Sequence, residues 1–289
     1  MTSFTGIWVP LATPFRHGEI DMPALQALAR RLHAAGASGL VVCGSTGEAA
    51  SLSEDEQLAT LDAVLHAVPD CDVMMGLAGN NLRAVTERLK QFQQRRIAGV
   101  LVPPPYYIRP SQAGLIEYFH TLADAATVPL VVYNIPYRTG VAMEFATIQT
   151  IAQHPCVVAI KDCGGDAGLT MRLIAETTLQ VLAGEDQQLL STLALGGTGG
   201  ILASAHIRPD LFLRVVSLAR EGELAKARTL FYELLPMIRL MFEEPNPAPL
   251  KAALAKLEWM EETLRAPMQR TSPALKSRIE KELTRVMTL

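Results

Sequence analysis

Eight short apolar runs, each followed by a longer stretch of helical periodicity, constrain the fold of this chain more than any other feature. They are "IWVPLAT" (7–13), "GLVVC" (39–43), "DVMMG" (72–76), "GVLVP" (99–103), "PLVVY" (129–133), "VVAIK" (157–161), "LQVLAG" (179–184) and "GGILAS" (199–204). Continuous rather than alternating apolar residues mark strands covered on both faces, as parallel strands are. Between them lie segments such as "MPALQALARRLHAAG", where Leu25, Leu28 and Leu32 recur at helical spacing ahead of a terminating Gly36. The pattern belongs to the α/β class and predicts a closed (β/α)8 TIM barrel. A doubly wound open sheet is the alternative, but it usually has fewer strands and a GxGxxG turn, which is missing here.

Past the eighth run the strand signal stops, and the remaining segments read as helices broken at "EEPNPAP". We expect a catalytic barrel over residues 1–225 and a helical C-terminal domain over 226–289. The length of 289 residues suits a barrel of roughly 250 residues with such an appendage. An apolar fraction of 49% and a charged fraction of 19% describe a soluble globular chain with an ample core. The net charge of -3 comes from 26 basic and 29 acidic residues with no long run of either sign, which argues against nucleic acid or a membrane surface as partner. Cys43, Cys71, Cys156 and Cys163 form no CxxC pair and no disulfide ladder, so reduced thiols in a cytoplasmic protein are expected. The opening "MTSFTGIWVPLATPF" has no basic n-region and predicts no signal peptide.

In a barrel the chemistry gathers at the carboxyl ends of the strands. "PLVVYN" puts Tyr133 at the end of the fifth strand and "VVAIKD" puts Lys161 at the end of the sixth, side by side if both point inward. A partly desolvated amine beside a phenol suits carbonyl chemistry, because burial frees the amine and carbinolamine formation and dehydration need a proton shuttle. The bland alternative pairs Lys161 with Asp162 or Glu185 at the rim and leaves Tyr133 as a core aromatic. "CGSTGEAA" turns tightly at Gly44 and Gly47, so N–H groups near Ser45 and Thr46 can converge on a carboxylate; the competing reading is an ordinary loop, with Ser53 capping the next helix. Arg138 in "NIPYRTG" has the planar fork that suits a second carboxylate, although composition alone favours a surface arginine. The glycines of "LGGTGGILAS" precede the eighth strand and read as a tight turn with close backbone approach, not a phosphate cradle. His17, His33, His66, His120, His154 and His206 show no metal-ligand spacing, so no metal site is inferred. Glu243 and Glu244, beside the proline break, make a poor glycosidase pair.

Together, "GSTGE", "PYYIRP", "YNIPYRTG", "IKD", "AGED" and "EEPNPAPLKAAL" resemble the dihydrodipicolinate synthase branch of the pyruvate-dependent class I aldolases related to N-acetylneuraminate lyase, nearly end to end. The resemblance implies a (β/α)8 barrel assembled as a homotetramer, a dimer of dimers. It also implies condensation of pyruvate with L-aspartate 4-semialdehyde through a lysine Schiff base, in lysine and diaminopimelate biosynthesis, without metal or organic cofactor. Carried residue by residue, Lys161 forms the imine and Tyr133 is the acid–base group, linked through Thr46 to Tyr107, which a neighbouring subunit inserts. Ser45 and Thr46 hold the pyruvate carboxylate, Arg138 holds the semialdehyde carboxylate, and main-chain groups at Gly184 and Ile201 complete the pocket. Arg138 discriminates against sugar-acid lyases, which need hydroxyl partners there.

This chain departs from the family pattern in having Ser45 for a threonine, Asp162 for a glutamate, and "CGGD" for an "ASGN"-like stretch. For lysine feedback, Asn80 and Tyr106 match two residues of the allosteric cleft, while Ala84 stands where a carboxylate is usual and Glu54 and Gln57 where histidines are frequent. Weak or absent inhibition is expected, since the effector's ammonium loses a charge-assisted partner. The competing functions are another pyruvate aldolase, of the keto-deoxy sugar acid or N-acetylneuraminate lyase type, and a non-catalytic pyruvate-binding barrel.

Overall fold

The computed structural model describes residues 3–289. Eight parallel strands close into a barrel: β1 (Gly6–Pro10), β2 (Gly39–Val42), β3 (Val73–Gly76), β4 (Gly99–Val102), β5 (Leu130–Asn134), β6 (Val157–Asp162), β7 (Gln180–Ala183) and β8 (Gly199–Ile201), in the cyclic order β1-β8-β7-β6-β5-β4-β3-β2. All eight fall on the apolar runs expected to form strands, and nearly every strand residue is buried. The crossover helices are α1 (Met22–Ala34), α2 (Glu54–Ala67), α3 (Leu82–Phe92), α4 (Gln112–Ala125), α5 (Phe145–Ile151), α6 (Ala167–Glu176), α7 (Leu189–Ala194) and α8 (Pro209–Arg220). Helix α1 starts where Asp21 accepts from the Ala24 N–H and stops before Gly36, whose φ of 92° needs no Cβ. A two-stranded hairpin, Phe15–Arg16 with Glu19–Ile20, follows β1.

The chain divides into two compact units. One holds the segment up to Gly6 with Asp72–Ile201; the other holds Ile7–Cys71 with Leu202–Leu289. In the first, β4 to β7 pair in sequence, and the glycines at the entry to β8 make the close approach expected there: a Cβ on Gly197 would lie 2.8 Å from the Thr192 carbonyl oxygen. A Cβ on Gly199 would lie 1.9 Å from the Gly6 carbonyl oxygen. In the second, β1 pairs with β2, and three further helices follow α8: α9 (Leu224–Met241), α10 (Ala248–Lys256) and α11 (Pro273–Val286). Glu243 and Glu244 are structural there. Glu243 pairs with Arg278, and Glu244 accepts from the Ser272 N–H at 2.9 Å.

His206 is a fully buried cross-brace of the second unit. Its Nε2 accepts from the Ala12 N–H at 3.1 Å and its Nδ1 donates to the Ala203 carbonyl at 2.8 Å, which assigns the neutral tautomer. Burial pushes its pKa down from 6.5 to about 4, partly offset by the Ala203 bond. A folded-state pKa below the unfolded one means that the unfolded chain binds the proton first, so stability is complete above about pH 6.5 and falls as pH drops toward 4. The gap corresponds to roughly 3 kcal/mol. Urea unfolding of wild type and His206→Gln at pH 7.5 and pH 4.5 checks this: the wild type should lose roughly 2–3 kcal/mol more than the variant between the two pH values, whereas parallel losses would contradict it.

Candidate active site

Tyr133 and Lys161 are strand-register partners, as are Asn134 and Asp162 on the next step. A β-bulge produces this alignment. Leu130 pairs with Val157 but Val131 pairs with Ala159, leaving Val158 as the extra residue of β6. Without that residue, continuing the register would set Tyr133 opposite Ile160, and amine and phenol would not share a face.

Asp162 holds the alignment from the other face of the sheet. Its carboxylate accepts from Asn134 Nδ2 at 2.9 Å, from the Gly164 N–H at 2.9 Å and from Thr170 Oγ1 at 2.7 Å. It is 3% exposed, so these three donors take the place of water. The competing reading, an ion pair of Lys161 with Asp162 or Glu185, is therefore not formed among the described residues. Alternation along β6 instead sends the carboxylate toward α6 and the amine to the opposite face.

Lys161 is 6% exposed and makes no ion pair among the described residues. Its Nζ lies 4.3 Å from the Tyr133 ring centroid. Desolvation pushes its pKa below the ordinary 10.5; Cys163, Asp186 and Glu185 pull it back up, and Arg138 reinforces the lowering. Burial also pushes the Cys163 thiol well up, so it stays a neutral neighbour near neutral pH. Gly184 lies against the lysine stem: a Cβ there would meet Lys161 Cγ at 2.9 Å and Cys163 Sγ at 2.3 Å. Its N–H donates to the Asp162 carbonyl at 2.8 Å. Ile201 is buried at the end of β8. Arg138 is exposed on the helical turn Pro136–Thr139 after β5, its guanidinium 5.8 Å from the Tyr137 ring. Tyr137 Oη donates to Glu185 at 2.8 Å.

Ser45 and Thr46 belong to the second unit, in the turn after β2. The N–H groups of Gly47, Glu48 and Ala49 bond back to the Gly44 and Ser45 carbonyls. Those of Ser45 and Thr46 have no acceptor among the described residues, which makes them two adjacent donors for an anion. Thr46 is buried, and its Oγ1 accepts from Asn246 Nδ2 at 3.1 Å. Ser45 is exposed.

The dihydrodipicolinate synthetase family model matches residues 3–286. The chain belongs to the dihydrodipicolinate synthetase family. The 4-hydroxy-tetrahydrodipicolinate synthase of Haloarcula marismortui is 38% identical over 273 residues, spanning 93% of this chain and 89% of the relative. 4-Hydroxy-tetrahydrodipicolinate synthase 2 of Clostridium acetobutylicum is 35% identical over 286 residues, 96% of this chain and 99% of its own. The crystal structure of dihydrodipicolinate synthase from Aquifex aeolicus is similar with a TM-score of 0.96 and 30% identity, covering 98% of each chain.

Several family positions take a local role visible in this member of the dihydrodipicolinate synthetase family. Tyr107 is 89% exposed with φ of 73°, so its ring covers little of its own chain. Asn80 Oδ1 accepts from the Tyr106 N–H at 2.9 Å, Ala84 lies in the first turn of α3, and buried Gln57 donates to the Ala49 and Leu52 carbonyls. Asp166, within the departing "CGGD", caps α6 by accepting from the Gly168 and Leu169 N–H groups. Ser53 and Glu56 form the capping box expected at α2. Sequence reasoning missed Asn246, Glu48 and Lys251, whose partners lie some 200 residues away in sequence. An asparagine and a lysine inside a proline-broken helical segment give no local sign of them.

Asp162→Ala removes the acceptor of three hydrogen bonds: it leaves the buried Asn134 amide, on the strand that carries Tyr133, without that partner, the half-buried Gly164 N–H open to solvent, and Thr170 Oγ1 with only the Asp166 carbonyl. It should destabilise the chain by roughly 3 kcal/mol or more, read from urea unfolding, with Asp162→Asn intermediate. A loss below about 1 kcal/mol would mean that the carboxylate does not hold the register.

Proposed function

We infer that this enzyme is a 4-hydroxy-tetrahydrodipicolinate synthase, a lyase that condenses pyruvate with L-aspartate 4-semialdehyde in lysine and diaminopimelate biosynthesis. The observation that carries the reading is a buried lysine at a strand end, without an ion pair among the described residues and 4.3 Å from a tyrosine ring, in a chain of this family. The uncharged Lys161 amine attacks the pyruvate keto carbon, and Tyr133 shuttles protons as the carbinolamine loses water. The resulting cationic imine acidifies the methyl protons, and loss of one gives the enamine carbon that adds to the aldehyde. The amino group of the condensed semialdehyde then displaces Lys161 from the imine carbon, closing the ring and restoring the amine.

Ser45 and Thr46 bind the keto-acid carboxylate through their unengaged N–H groups, Arg138 takes the second carboxylate, and main chain at Gly184 and Ile201 bounds the pocket. Thr46 links Tyr133 to Tyr107 of a second subunit, which fits a tyrosine 89% exposed on its own chain. A homotetramer built as a dimer of dimers, working in the cytoplasm, completes the reading. The Asn80 and Tyr106 cleft lacks a carboxylate at Ala84, so lysine regulates weakly or not at all.

Borohydride reduction in the presence of pyruvate should leave one adduct, located at Lys161 by mass spectrometry and absent from Lys161→Ala. Turnover should follow with aspartate semialdehyde and not with sugar aldehydes. No adduct would overturn the imine mechanism, and turnover confined to sugar aldehydes would overturn the substrate assignment. Tyr133→Phe, which keeps the ring and removes the proton, should lower kcat roughly 100-fold or more with the adduct site unchanged. Half-maximal inhibition by submillimolar lysine would refute the regulatory part.

A further inference from the structure

The turn that carries Ser45 and Thr46 is gripped from the C-terminal segment at two points, and the stretch just after it at a third. Asn246 donates to Thr46 Oγ1 at 3.1 Å. Lys251, on α10, forms an ion pair with Glu48, their side chains 0% and 2% exposed. Arg265 donates to the Ser51 carbonyl at 2.8 Å and pairs with Glu56. From the strand side, Thr13 Oγ1 donates to the Gly47 carbonyl at 2.7 Å.

The turn needs such restraint. Cys43 and Glu48, at its two ends, both have φ of 54°, a left-handed conformation that is unfavourable for a non-glycine residue and persists only where surrounding structure imposes it. Lys251 is otherwise satisfied: Nζ donates to the Thr263 carbonyl at 2.8 Å and lies 4.3 Å from the Phe15 ring centroid. A buried ion pair of this kind contributes little net stability over apolar residues of similar volume, so its value here is geometric. It is also electrostatic. Glu48 lies three residues after Ser45, and without Lys251 its carboxylate would oppose any anion held by the free N–H groups of Ser45 and Thr46.

We propose that the buried Glu48–Lys251 pair, with Asn246 beside it, is a positioning clamp that sets the Ser45–Thr46 turn and keeps it receptive to a keto-acid carboxylate. The C-terminal helical segment thereby takes part in substrate binding. Glu48 and Lys251 are positioning residues, acting through the turn. The inference rests on the reading of Ser45 and Thr46 as the pyruvate-binding turn.

Three variants of the full-length enzyme test it: Lys251→Met, the double variant Glu48→Gln/Lys251→Met, and Asn246→Ala. The double variant removes both charges and should unfold within a few degrees of wild type. Its KM for pyruvate should nonetheless rise at least tenfold, while kcat at saturation changes less than threefold. Lys251→Met should show a larger KM rise, because it leaves Glu48 unopposed. Amide hydrogen exchange in the peptide covering residues 43–52 should speed up in all three. A folded double variant with wild-type KM and wild-type exchange would overturn the clamp. Should the double variant not fold, Asn246→Ala decides: an unchanged pyruvate KM with unchanged exchange overturns it. The wild-type adduct at Lys161 separates the two failures. If it forms while the variants behave as wild type, the clamp alone is wrong; if it does not form, the pyruvate reading falls, and the exchange data still report whether the turn is clamped.

Discussion

The site depends on a carboxylate that never faces it. Asp162 takes three hydrogen bonds on the outer side of β6, one from Asn134 on β5, and so couples the two strands at the step beyond the one shared by Tyr133 and Lys161. Hydrogen bonds to a buried carboxylate are among the stronger ones in a protein and are costly to leave half made, which suits them to holding a register. The bulge at Val158 supplies the one-residue offset, and the Asp162 network keeps it. Amine and phenol are thus neighbours by backbone geometry, independent of rotamer choice.

With the register held, desolvation does the electrostatic work. Lys161 is taken out of water with no ion-pair partner among the described residues, so its charged form is the disfavoured one. Glu185 and Asp186 limit that effect. In the proposed mechanism their presence is chemically useful, since an imine at Lys161 would be cationic and a nearby negative charge would steady it. Glu185 itself accepts from Tyr137 and forms no ion pair with Lys161 among the described residues. The loop after β2 poses the reverse problem: in the proposed function its strained turn presents two N–H donors to an anion, and the second unit sets a buried ion pair behind that turn.

All eight strands and the positions of Lys161 and Tyr133 at strand ends are readable from apolar runs, because a strand covered on both faces has nowhere to place polar residues. The close approach at Gly197 and Gly199 is equally readable from glycines at the entry to a strand. The role of Asp162 was not. From sequence it is a neighbour of Lys161 and an obvious ion-pair partner, whereas alternation along β6 sends it to the other face, where Thr170 and Asn134 wait. Asn246, Glu48 and Lys251 escaped for a different reason: contacts across some 200 residues leave no periodic trace in one sequence. The family resemblance supplied Tyr107 as a relay residue, and within a single chain the structure leaves its ring largely exposed.

The most direct measurement is the pH dependence of the rate at which pyruvate forms its imine with the wild-type enzyme, followed by rapid mixing and borohydride quench with quantification of the Lys161 adduct. A desolvated amine gives a rate that reaches its plateau with a midpoint well below pH 10.5. A rate that keeps rising to a midpoint near 10.5, as for a lysine in open water, would contradict the central claim that burial beside Tyr133 makes Lys161 a nucleophile.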